Sequence, residues 1–553
     1  MWLRGLLLGL ALSLPPVAIA ADAASPLAVG YICAAERGAA PQGPRTLTRV
    51  SGVGAGGFPI ATHKVEAQGW FDYGMALAHA FYHQDATLAF RRATEIDPGC
   101  AMCAWAEAWS LGPTLNFGAE PADRRSAAAL TAKAATLTAG ESAKNQALIA
   151  ALRVRYSGAP GAADIAYADA MDHLVHRYPG DDEIAILAAD AWLIPQTLRG
   201  DRQGVERAVE ILKTVLERHP DNTGAIHFYI HATEEAGRPA QALPFADRLG
   251  GLAPNASHLV HMASHTFFRV GRYEDAALVN AQALAVDSAY LRAAHDATPQ
   301  GKVIYHSHDL RFGLAGAIAA GDGALAVRLA DHVAFAFPGV IAREDVSQIV
   351  VGNAAFAYGR FAPARALAMS DPGAEAPYAS ALRHYARGEA FAARGDAPQV
   401  LIEAEAVEKD TDKATRATPT WFHKTAGPIL HIAALTLRGR AAMLNGHPED
   451  AVKLYRTAAV IQDKSLAFRG AYDPPPWWYP VRRSVAAALL AAGDPAGAEA
   501  ETRLALAVWP KEPLTLRLLG EAERAAGKQS DAERNLAEFS AAWHGENVPQ
   551  ALL

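Results

Sequence analysis

From about residue 66 to residue 553, apolar side chains recur at three- and four-residue steps. The chain there is rich in Ala and Leu and has few β-branched runs, so the pattern predicts helices along its whole length. The helices are expected in pairs. A turn of the form G-x-x-x-x-A recurs as Gly237/Ala242, Gly271/Ala276, Gly321/Ala326, Gly359/Ala364, Gly446/Ala451, Gly493/Ala498 and Gly527/Ala532. Pro98, Pro220, Pro254, Pro338 and Pro510 follow the second helix of several pairs. Glycine permits the tight turn, a small alanine lets the two helices approach, and proline stops the second helix.

The clearest unit reads "WFDYGMALAHAFYHQDATLAFRRATEIDP". Its Trp70, Tyr73, Gly74, Leu77, Ala86, Phe90, Ala93 and Pro98 fall at the spacing of the tetratricopeptide repeat, a 34-residue helix-turn-helix. The chain therefore resembles tetratricopeptide-repeat (TPR) proteins over most of residues 66–553, with degenerate stretches near 118–185 and 370–430. One such unit cannot bury its own apolar face, so neighbours stack. The resemblance implies an all-α solenoid, a right-handed superhelix whose concave groove is lined by the first helix of each unit.

Other sequence features refine this picture at its edges. Residues 1–20, with Arg4, an apolar run from Leu6 to Leu14 and the small-residue pattern ending at Ala20, have the layout of a cleavable secretory signal. Cleavage is expected after Ala20 and location in the periplasm or outside the cell. Residues 21–65 are expected to be an irregular Gly/Pro-rich arm. Its "GVGAGG" (Gly52–Gly57) matches the spacing of a dinucleotide fingerprint, but Pro59 follows and no strand–helix context surrounds it. No stretch reaches the roughly 20 apolar residues of a transmembrane helix. Net charge is −7 and no basic block occurs, which leaves nucleic acid without an electrostatic anchor. Hydrophobic residues make up 51% of the chain, enough for a large core. With three cysteines, at most one disulfide can form.

The informative chemistry lies in residues 223–312. Seven of the 20 histidines, and His295 besides, fall between residues 227 and 308; an even spread would put about three there. In the repeat frame the second, fifth and ninth positions face the groove. His227 and His231 take the fifth and ninth positions of the repeat starting near Thr223. His258, His261 and His265, in "HLVHMASH", take all three positions of the next, so His261 and His265 follow His227 and His231 by 34 residues. The following unit starts near Ser307 after an insertion, placing His308 beside His258 with His306 just ahead.

Residues one turn apart on a helix are about 5–6 Å apart, and adjacent helices pack 8–10 Å apart. His227 and His231 can therefore converge with His261 and His265. Imidazole donors favour Zn, Cu, Fe or Ni over Mg or Ca. The metal ligands read from the sequence are thus His227, His231, His258, His261, His265, His306 and His308. Glu234, three residues after His231, is the candidate ligand or acid–base group in the absence of an "HExxH" motif. Asp309 is placed to orient an imidazole, and the insertion with His295 and Asp296 is a candidate lid. As an enzyme, such a centre would activate water or dioxygen on a small or peptidic substrate. The competing readings are a scaffold whose histidines contact a protein or peptide partner in the groove, and metal storage or sensing without turnover.

"HFYIHATEE", "HLVHMASHTFFRVGRYEDA", "YHSHDLRF" and "DPGCAMCAWAEAWSLGPTLN" also resemble segments of bacterial exported TPR-repeat proteins, a likeness that implies no particular reaction. The "CAMC" pair (Cys100, Cys103) lacks a thioredoxin-like context, and Ala104 stands where haem attachment needs histidine. Apolar packing or a local disulfide is expected, with a soft-metal site as the alternative. "PPPWWYP" (Pro474–Pro480) is expected to pack between repeats or to wall an organic ligand. No serine-nucleophile elbow or phosphate loop occurs.

Overall fold

A computed structural model describes residues 47–553 apart from 116–117, 195–202, 296–305, 337–345, 375, 410, 419–421 and 467–473. The segment expected to be a secretory signal lies outside the described residues. Among the described residues every regular element from Val65 onward is helical, and the one β-bridge joins Leu47 to His295. Successive helices pack on their neighbours in antiparallel pairs along the chain. The stretches with weak repeat signals, 118–185 and 370–430, are helical too. The chain is an all-α solenoid of TPR type.

The turns show why the glycines recur. Gly271 ends the Ser257–Val270 helix with φ +83°, and the next amide, Arg272 N–H, donates back to the Phe267 carbonyl at 2.8 Å. The same closure follows Gly237, Gly321, Gly446, Gly493 and Gly527. It satisfies carbonyls that the helix end would otherwise leave open. Gly359 departs from expectation: it lies inside the Val346–Phe361 helix, and a Cβ there would sit 2.8 Å from the Ala386 backbone. That glycine serves close helix contact, and the break between helices falls three residues later, at Ala362.

Two features tie distant repeats together. The second helix of the 257–294 pair runs 22 residues, Tyr273–Ala294, so part of the expected insertion is simply a longer helix. Its far end reaches the first repeat. Tyr290 stacks on Tyr82 with ring centroids 4.3 Å apart and donates to Asp85 at 2.8 Å. The turn at residues 80–82 is thereby held against the 257–270 helix, where Ser257 N–H donates to the Tyr82 hydroxyl at 3.0 Å. Across the same region runs the GVGAGG segment, as irregular backbone rather than a nucleotide loop. Ala55 N–H donates to Thr223 Oγ1 at 3.0 Å and Gly57 N–H to Glu183 at 2.7 Å. Gly57, at φ +103°, passes so close to Asp72 that a Cβ would overlap its carboxylate.

Candidate metal centre

Three first helices carry the histidines: Thr223–Glu235, Ser257–Val270 and His306–Ala320. Asn222 caps the first, its Oδ1 accepting from Ala225 N–H at 3.0 Å. One turn of each helix separates His227 from His231 and His261 from His265, so both pairs project from one side. The structure sorts six histidines into two groups of three, His227/His231/His258 and His261/His265/His308. Within each, ligand nitrogens all lie within 4.8 Å of one another.

That arrangement divides the histidines and corrects the expected placement of His308 beside His258. Each i,i+4 pair groups with a third imidazole from the neighbouring helix. His308 joins His261 and His265, with its ring 4.7 Å from that of His261, whereas His258 joins His227 and His231. The groups abut: His231 and His265 rings are 5.4 Å apart, and those of His258 and His261 5.5 Å. The His306 side chain lies outside the description. His295 sits elsewhere, its Nε2 3.0 Å from Asp85, and Asp296 lies outside the described residues.

The outer nitrogens fix the tautomers. Asn280 Nδ2 donates to the Ala276 carbonyl at 2.6 Å, which turns its Oδ1 toward His261. His261 Nδ1–H donates to that oxygen at 2.6 Å, with the buried Asp309 carboxylate 3.2 Å away. His265 Nδ1–H donates to Glu234 at 2.8 Å, and the other Glu234 oxygen accepts from Arg269 Nε at 2.8 Å. A neutral imidazole has one N–H. With both rings neutral, both Nε2 atoms present lone pairs that face each other at 3.0 Å; with His265 protonated against Glu234, its Nε2–H donates to His261 instead. In the first group His227 spends its Nδ1–H on the His79 carbonyl at 2.5 Å, leaving its Nε2 3.2 Å from that of His258. Two imidazoles sharing an ion at about 2.0–2.1 Å place their nitrogens roughly 2.8–3.4 Å apart.

Solvent does not relieve this crowding. His227 and His261 are 0% exposed and His258, His265 and His308 at most 4%. His231 is half-buried, yet its Nε2 is shielded and has no hydrogen-bond partner among the described residues. Burial holds His227 in its neutral form, with a pKa of about 3, and pushes His231, His258, His261 and His308 well down; neighbouring imidazoles add to the effect. Neutral imidazole is the form that binds metal.

Each group also has a phenylalanine that meets all three of its rings. Phe312 lies 4.9, 4.6 and 5.0 Å from the His261, His265 and His308 rings. Phe81, from the inserted first-repeat turn, lies 4.3, 5.0 and 5.7 Å from His227, His258 and His231. Its φ of +58° is rare for a bulky residue and costs on the order of 1–3 kcal/mol. Phe81 also lines a narrow pocket with His83, Trp109, Thr114, Asp190 and Phe228.

Sequence reasoning missed the supports from outside the three helices. His79 offers its carbonyl to His227 while its own Nε2 pairs with Glu183 at 2.9 Å. Burial opposes charge on His79, but Glu183 outweighs it and raises the pKa. The histidines of "HAFYH" were the available signal, hidden within a consensus repeat. The peripheral motifs are settled as well. Cys100 and Cys103 form a disulfide at the start of the Ala101–Ser110 helix, which removes the soft-metal alternative. Trp477, Trp478 and Tyr479 are buried between repeats, Trp478 stacking on Phe356 at 4.4 Å.

No protein-family model matches the chain, and no curated protein matches it in sequence. Among solved structures it is similar to a human IFIT1 dimer with m7Gppp-AAAA, at 13% identity and a TM-score of 0.33, covering 80% of this chain and 90% of that one. It is similar also to the TPR domain of P58(IPK), at 14% identity and a TM-score of 0.20, covering 67% of this chain and 95% of that one. At these scores the solved structures say nothing of function here; the helix pairs themselves carry the fold.

Proposed function

We propose that this protein is an exported TPR-type solenoid that holds two transition-metal ions, one in each three-histidine group, and uses them on a small substrate. The observation that carries the reading is the 3.0 Å approach of two buried Nε2 atoms whose Nδ1 atoms both face acceptors, so that with neutral rings both Nε2 atoms are acceptors. Buried acceptors facing one another repel, and a shared cation turns that repulsion into ligation. The donor set selects among Zn, Cu, Fe and Ni.

Three imidazoles per ion leave coordination positions for water, dioxygen or substrate, the arrangement of catalytic rather than purely structural sites. The pocket that reaches Phe81 and His83 supports approach by a small molecule at the first group. Burial of the histidines weighs against their use as contacts for a peptide in an open groove. Glu234, with one oxygen on His265 and the other on Arg269, is placed to orient a ligand rather than to move a proton at the ions.

The test is titration of chelator-stripped protein with Co(II), followed by visible absorption. Two equivalents are expected for the wild type and one for His231→Ala or His308→Ala. Failure of the wild type to bind any Co(II), Zn(II), Cu(II) or Fe(II) would overturn the reading. Turnover without metal dependence would equally remove its enzymatic half.

A further inference from the structure

The two three-histidine groups meet along one boundary. Across it the His231 and His265 rings stand 5.4 Å apart and those of His258 and His261 5.5 Å, whereas rings within a group are 4.7–6.5 Å apart. The boundary is no wider than the groups themselves. Two ions held by groups that abut this closely share whatever small ligand lies between them; paired ions in such sites stand roughly 3.5–4 Å apart.

The donors select the metal. Neither group counts a carboxylate or a thiolate among its described donors. The nearby carboxylates sit behind the imidazoles, Glu234 shared between His265 and Arg269, and Asp309 beside His261 Nδ1. Two buried dications would set four positive charges against this pair, one of which Arg269 already neutralises, and uncompensated buried charge is costly. Cu(I) halves that charge and accepts three imidazoles with no further ligand. Copper also stands at the top of the affinity order for nitrogen donors.

The surroundings select the substrate. Phe312 meets all three rings of one group and Phe81 all three of the other, and five of the six histidines are at most 4% exposed. The narrow pocket on the Phe81 side has room for one or two water-sized molecules, about 20 Å³. A ligand that reaches this centre is of diatomic size, and the dry apolar cover favours an uncharged one.

Resting on the two-ion reading above, we propose that the six histidines form one dinuclear copper centre that binds dioxygen between its two ions. On binding, each Cu(I) gives up one electron and becomes Cu(II). Dioxygen takes up both electrons, its double bond falls to a single bond, and it lies between the ions as peroxide. The transfer needs no proton and no other reductant, and its reversal releases dioxygen. The two charges gained by the ions are offset by the two on the ligand, so the buried site holds the same net charge before and after.

The test loads the chelator-stripped full chain with Cu(I) in the absence of oxygen and then admits air. Two coppers per chain are expected, then uptake of one dioxygen per chain at an oxygen electrode and growth of a near-ultraviolet charge-transfer band. The Cu(II) so formed should be nearly silent in electron paramagnetic resonance, because the two spins pair through the bridging ligand. His231→Ala should keep one copper with circular dichroism intact, show that copper at full intensity once oxidised with ferricyanide, and take up no dioxygen. Two coppers whose Cu(II) signal integrates to two independent spins, copper-loaded protein that takes up no dioxygen, or full uptake by His231→Ala would each overturn the inference and leave the two-ion reading standing. So would protein that binds two Zn, Fe or Ni ions but no copper. Failure to bind any of the four metals removes that reading and the inference with it.

Discussion

His261 and His265, one helical turn apart, hold their Nε2 atoms 3.0 Å from each other while both Nδ1 protons point outward, to Asn280 and to Glu234. Helical spacing brings two imidazoles to the same side; the outer partners decide which nitrogen faces inward. The consequence is a pair of buried ring nitrogens that a shared proton or a shared metal ion satisfies.

His231 provides the cleanest separation of metal binding from folding. Its Nε2 has no hydrogen-bond partner among the described residues and its ring is half-buried. His231→Ala should therefore change the stability of chelated protein by less than about 1 kcal/mol. In metal-loaded protein the loss should be larger, because binding to the native state adds to stability by mass action. Urea denaturation with and without chelator measures both.

Glu234→Gln keeps the size of the side chain but removes the charge shared by His265 and Arg269. Loss of such an orienting partner typically costs about 10–100-fold in metal affinity. The expected result is weaker binding at the His261/His265/His308 group and little change at the other, resolved by competition with a chromophoric chelator. Equal weakening of both groups would contradict the assigned role.

The Cys100–Cys103 disulfide closes a very short loop. On the loop-entropy account its contribution is at most about 2 kcal/mol. The Cys100→Ser/Cys103→Ser double variant should fold, bind metal as the wild type does and unfold at slightly lower denaturant. A large loss of metal would revive a ligand role for these sulfurs.

Asp190 predicts a pH effect away from the ligands. Burial, partly offset by Arg155 and His79, raises its pKa to about 6 from 3.8. The native state thus keeps a proton that the unfolded chain releases, so stability is fullest below about pH 4 and falls as pH rises through 6. Asp190→Asn should raise the unfolding free energy at pH 7.5 by up to about 3 kcal/mol, and by almost nothing at pH 4. Denaturation at the two pH values checks the difference.

The helices, most of their turns and the adjoining placement of the six described histidines were legible in the sequence because each depends on local spacing. The recurring glycine turns gave the frame, and the frame put His227, His231, His258, His261, His265 and His308 on adjoining faces. Their division into two groups was not legible, since it depends on how far each side chain reaches between helices. Gly359 was misread because close helix packing demands glycine as strictly as a turn does. The inserted Phe81 turn could not be foreseen, as it depends on the long Tyr273–Ala294 helix meeting the first repeat. The same holds for GVGAGG, whose Gly57 reaches the centre through Glu183 and His79.

The most direct measurement is the metal content of protein purified without an affinity tag, taken by elemental analysis on a quantified chain. Two ions of Zn, Cu, Fe or Ni per chain are expected, one for each three-histidine group. His261→Ala/His265→Ala should reduce the content to one, with the helical circular dichroism retained. Substoichiometric metal in the wild type, even after reconstitution with each of the four, would contradict the account.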